Sequence, residues 1–124
     1  VTERLYTQDQ ANAALPEVKA AVERIRDARQ VVFRHGESIR KVAARNGGGP
    51  EGTEYLEALR TLRVDLESLA EQGVILRDAE SGLLDFPTER DGRIVYLCWR
   101  FGEDRIAYWH EPETGFAGRK PLQD

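Results

Sequence analysis

At Gly73 the hydrophobic repeat of this chain changes period, and that change restricts the folds open to it. Before Gly73 apolar residues recur every three or four positions, the spacing that gathers side chains on one face of an α-helix. After it they alternate, with turn-forming residues close together, as short antiparallel strands require. A chain of 124 residues supports one continuous core. The two halves must therefore pack on each other, and the expected class is α+β. A long antiparallel helical hairpin over 8–72 lies on a small antiparallel β-meander of about four strands over 74–111. An extended tail over 112–124 completes a single domain, 1–124.

Thr7 and Gln10 form a capping box at the start of the first helix. Pro16 is expected to kink that helix or to begin a new one. Val18, Ala21, Ile25, Ala28, Val32, His35, Ile39 and Val42 follow a coiled-coil-like 3,4 spacing. The run NGGGPEG from Asn46 to Gly52 should break the helix as a turn or loop. Thr53 can cap a second helix with Tyr55, Leu59, Leu62, Leu66 and Leu69 on its packed face, ending at Gly73.

Turns are expected at AESG 79–82, at Asp91-Gly92 and at GEDR 102–105. A two-residue Asp91-Gly92 turn sets Leu84, Phe86 and Thr88 opposite Trp99, Leu97 and Val95. A short loop at 102–105 sets Phe101, Trp99 and Leu97 opposite Ile106, Tyr108 and His110. One face then reads Leu84, Phe86, Val95, Leu97, Trp99, Phe101, Ile106 and Tyr108, and belongs on the helices. The other carries Leu83, Asp85, Tyr96, Cys98, Arg100, Ala107, Trp109 and Glu111. That second face is too apolar to stay in water, so the tail or a second copy of the chain should cover it.

Charge excludes some functions. Residues 1–72 hold 11 basic and 12 acidic side chains and residues 73–124 hold 7 and 10, so neither half offers the basic face that nucleic acid needs. No apolar run approaches the roughly 20 residues of a membrane span, and no signal peptide is recognisable. A lone cysteine, Cys98, suits a reducing compartment, and a cytoplasmic location is expected. The chain contains no methionine, so position 1 is not expected to be the initiating residue.

Four motifs stand out: the DFP turn at Asp85, the LCWR strand at Cys98, the WHE strand at His110 and the GFAGR tail ending at Arg119. With the opening TQDQANAALPEV they resemble a small prokaryotic family known as domain of unknown function number 2203. The resemblance covers the start and the last 45 or so residues closely, and the helices only in pattern. It implies no activity, ligand or catalytic residue.

Chemistry must then be sought among individual residues. His110 with Glu111, Glu103 and Asp85 offers the mixed nitrogen and oxygen donors that suit a divalent metal, although neighbouring His and Glu on a strand face opposite ways. Arg100 and Arg119, beside Trp109 and near Gly115 and Gly118, are candidates for an anionic ligand. His35 reads as a packing residue with Glu67 or Asp65 as partner. A Cys98–His110 dyad is disfavoured because the register puts the two on opposite faces. No GxSxG, HExxH or phosphate loop is present. The favoured reading is a non-catalytic, homodimeric protein-interaction module; the alternative is a protein binding a divalent metal or a small anion in its C-terminal β-layer, a metal-dependent enzyme among the options.

Overall fold

Thr7 and Gln10 cap the first helix reciprocally. The Thr7 amide donates to Gln10 Oε1 at 2.9 Å and the Gln10 amide donates to Thr7 Oγ1 at 3.1 Å, so two amides left over at the helix start find acceptors. The computed structural model describes residues 4–46 and 50–122, without the side chains of 37–51. Helix α1 spans Gln8–Asn46 and α2 spans Pro50–Glu71. Pro16 neither ends α1 nor divides it; it sits on the exposed side of one continuous helix. The break predicted over Asn46–Gly52 is shorter than expected, since Pro50 already opens α2, where a missing N–H costs nothing. Residues 47–49 lie outside the described ones. Gly73, at φ +76°, closes α2: its amide reaches the Ala70 carbonyl and the Val74 amide reaches that of Leu69.

Between the helices, Val18, Ala21, Ile25 and Ala28 are buried as the 3,4 spacing requires. Val32 and His35 are half-buried, and Ile39 and Val42 fall outside the described side chains. On α2 the packed face is in part the expected one: Leu69 is buried and Tyr55 and Leu62 are half-buried, whereas Leu59 and Leu66 are exposed and Ala58 and Asp65 are buried. Asp65 faces α1 and takes Arg24 in a two-pronged contact at 2.9 and 3.0 Å, which puts a charged residue in the packed face. His35 lies 4.0 Å from Glu54, not beside Asp65 or Glu67.

The sheet has five strands in sequence order, all antiparallel: β1 Ile75–Asp78, β2 Leu83–Arg90, β3 Arg93–Arg100, β4 Tyr108–His110 and β5 Lys120–Pro121. The fifth comes from the tail and pairs with β4. Asp91 and Gly92 both take positive φ, as a two-residue hairpin turn needs. Leu84, Phe86 and Thr88 accordingly face Trp99, Leu97 and Val95. Leu84, Phe86, Val95, Leu97 and Trp99 are fully buried against Ala11, Leu15, Val18, Val22 and Ile25 of α1, with Tyr6 edge-on to Phe86 at 5.2 Å.

The pairing of β3 with β4 is offset by one residue from the expected register. Tyr96 lies opposite His110, Leu97 opposite Trp109 and Cys98 opposite Tyr108. A longer loop from Phe101 to Ala107 replaces the tight turn, because α1 pins its far end. Asn12 Oδ1 accepts from the Ile106 amide at 2.8 Å, and the Asn12 and Gln8 amides donate to the Ile106 carbonyl. Ile106 is buried as predicted, but every β4 side chain is inverted. Trp109 joins the core, while Tyr108 and His110 move to the outer face. Of the apolar patch expected to need the tail or a second copy as cover, Cys98 and Trp109 are buried within the chain and Tyr96 is half-buried.

Candidate metal and ligand site

The slipped register brings three potential metal ligands together on the outer face of the sheet. Asp85 on β2 is the direct cross-strand partner of Cys98 on β3, and His110 on β4 is diagonal to Cys98. Their exposures are 1%, 0% and 3%. One donor atom from each lies within 4.8 Å of the other two.

The hydrogen bonds around His110 decide what this cluster can do. Its Nδ1 lies 2.7 Å from the backbone carbonyl of Glu111, a pure acceptor, so Nδ1 carries the ring hydrogen. Its Nε2 faces Oδ1 of Asp85 at 2.9 Å. That separation is hydrogen-bond distance, so one hydrogen between the two atoms is enough to join them. Oδ2 of Asp85 accepts from Arg77 Nε of β1 at 2.7 Å, and that bond raises the Arg77 pKa above its ordinary value. The Tyr96 ring supports both partners, with the Arg77 guanidinium 5.0 Å and the His110 ring 5.6 Å from its centre.

The tail closes the site from above. Arg119 is sandwiched between the rings of Tyr108 and Phe116, at 4.0 and 4.2 Å, and binds Glu103 with both terminal nitrogens. One of those nitrogens stands 4.0 Å from Cys98 Sγ. A cleft of about 350 Å³ remains between Arg77, Leu83 and the loop Pro112–Phe116, with Asp85 and His110 on its floor.

The family model described as an uncharacterized conserved protein, DUF2203, matches residues 4–122, nearly the whole chain. This chain belongs to the DUF2203 family. No curated protein and no solved structure matches it. In this DUF2203 chain the four sequence motifs converge in space: DFP supplies Asp85, LCWR supplies Cys98, WHE supplies His110 and GFAGR supplies Arg119.

Of the four metal candidates, Asp85 and His110 meet and the other two do not. Glu111 points away and pairs with Arg93, which lowers its pKa; Glu103 is held by Arg119. Arg119 is locked in its clamp, Arg100 is exposed with Phe116 5.8 Å away, and Trp109 lies in the core beneath Arg90 and Lys120. Cys98 is not recognisable as a ligand from the sequence, because the expected register turns His110 away from it. Arg77 carries no sequence signal beyond its charge.

Burial and the nearby Asp85 charge push the Cys98 thiol up to about 11. At pH 8 roughly one such thiol in a thousand is ionised, too few for a resting nucleophile. Native DUF2203 protein should therefore label very slowly with a disulfide reagent at pH 8, and denaturant should release its single thiol. Full labelling of the native chain within seconds would contradict the burial.

Proposed function

We propose that this DUF2203 protein binds one divalent transition-metal ion of the zinc class on Asp85, Cys98 and His110. The observation that carries the reading is the meeting of three buried potential ligand atoms, one each from Asp85, Cys98 and His110, within 4.8 Å of one another, with Asp85 and His110 each braced from behind. A metal-binding imidazole ordinarily donates its other N–H to a carbonyl or carboxylate, as His110 does to Glu111. Arg77 occupies Asp85 Oδ2, so Oδ1, the oxygen turned to His110, is the one available for a ligand role.

The competing reading is a plain hydrogen bond, with a proton rather than a metal ion joining His110 Nε2 to Asp85 Oδ1. Cys98 argues for the metal. Sulfur, nitrogen and oxygen donors together suit zinc, and a bound ion deprotonates a thiol that is otherwise neutral. Three protein donors leave a fourth position for water or a ligand, the arrangement of open rather than purely structural zinc sites.

Chelator-stripped protein titrated with zinc, and with cobalt as a coloured substitute, tests this. The expected result is about one ion per chain, with a thiolate-to-cobalt absorption band in the near ultraviolet. His110→Ala should weaken binding by at least about 100-fold. Negligible uptake by the folded wild type would leave the proton as the occupant and end the proposal.

A further inference from the structure

The segment that crosses the outer face of the sheet is anchored at both ends and lightly held in between. At its near end Glu111 is fixed by Arg93, and its carbonyl meets His110 Nδ1 and accepts from the Thr114 amide. At its far end β5 pairs with β4, and Leu122 packs against the core with its amide on the Ala107 carbonyl at 2.8 Å. Between these anchors no residue from Pro112 to Arg119 is buried. The Gly118 amide donates to the Gly115 carbonyl and the Arg119 amide to that of Phe116, so the turn is held together from within. Among the described residues, the hydrogen bonds that tie 112–119 to the sheet and to the loop after β3 run through the Arg119 side chain.

That side chain is 16% exposed and reaches beneath the segment. It lies between the rings of Tyr108 on β4 and Phe116 on the segment itself, with a terminal nitrogen 4.0 Å from Cys98 Sγ. Its partner Glu103 is fixed in turn, because Oε1 also accepts from the Arg100 amide at 2.8 Å. A segment with few buried apolar contacts opens at a lower free energy than the fold as a whole. The core lies between α1 and the inner face of the sheet, and none of its members comes from 112–119.

We infer that residues 112–119 form a strap that swings off the sheet while the rest stays folded, baring Asp85, Cys98 and His110, and that the Arg119–Glu103 pair is its latch. Gly118 sets the closed shape: a β-carbon there would stand 2.5 Å from that of Thr114, so a larger residue forces the turn apart. As control of the proposed metal site, this gate rests on that reading; its opening does not.

Cys98 is the reporter. Its labelling by a disulfide reagent, in chelator and at fixed pH, is followed from zero urea to the unfolding transition. In wild type the rate should be nearly flat at low urea, because strap opening exposes little surface, and should steepen to the global slope only near the transition. Arg119→Gln should raise the flat rate at least about tenfold. Losing a neighbouring cation by itself slows a thiol, so a faster rate reports access. Gly118→Val keeps both latch and thiol and should raise the flat rate likewise, which decides the matter should Arg119→Gln not fold. A wild-type rate that follows the global slope down to zero urea would overturn the inference, as would a flat rate unchanged in either folded variant. No metal takes part in these runs, so the metal reading can fail without touching them.

Discussion

Asp85→Ala is expected to cost about 3 kcal/mol of folding stability and to remove metal binding altogether. The carboxylate is 1% exposed and has two partners, Arg77 at 2.7 Å and His110 at 2.9 Å. Truncation leaves His110 buried with one ring nitrogen facing an empty space and Arg77 without its anchor. Breaking a buried ionic contact from one side generally costs about 3–5 kcal/mol. The lower end applies because Arg77 is 43% exposed and can turn to water, which screens the charge it loses. A urea melt should show the midpoint lowered and the slope unchanged. Asp85→Asn separates charge from shape, since an amide fills the same space and can still accept from Arg77. It should recover part of the stability and none of the metal affinity. A stable, metal-binding Asp85→Ala would mean that the cluster is incidental.

Part of this arrangement is legible in the amino-acid sequence, and the rest is not, for identifiable reasons. Asp91-Gly92 is a turn of fixed length, so it dictates the pairing of β2 with β3, seen at Leu84–Trp99, Phe86–Leu97 and Thr88–Val95. GEDR resembles another tight turn, but the length of its loop depends on Asn12 and Gln8, about 95 residues away in sequence, which grip Ile106. That distant constraint shifts β4 by one residue and carries His110 across the sheet. Asp85 and His110 are recognisable as candidates from their chemistry; Cys98 becomes a ligand candidate only with the correct register. On α2, hydrophobic spacing finds Leu69 and Leu62 but also selects the exposed Leu59 and Leu66, and passes over Asp65, which is buried where it meets Arg24. A charged residue at a packed position defeats a count of apolar ones.

Cys98→Ala should separate the fold from the metal site more sharply than any other single change. The side chain is small and fully buried, and its polar contact is a 4.0 Å approach from Arg119. Losing one sulfur atom there should cost the metal-free protein about 1 kcal/mol, at the low end for a core truncation. The Asp85–His110–Arg77 contacts remain intact. A ligand that binds only the folded state, present at about 1,000 times its Kd, adds about 4 kcal/mol of stability. Wild type should gain that with zinc and the variant almost none. For a domain of this size the difference amounts to roughly 10–20 °C in melting temperature. Thermal melts of both proteins, with chelator and with excess zinc, compare all four states directly. If zinc raises both by the same amount, the ion sits elsewhere; if it raises neither, a proton fills the gap between His110 and Asp85. If the two proteins already differ by many degrees in chelator, Cys98 is chiefly a packing residue. Only the pattern of nearly equal melting without metal and wide separation with it matches a site built on these three strands.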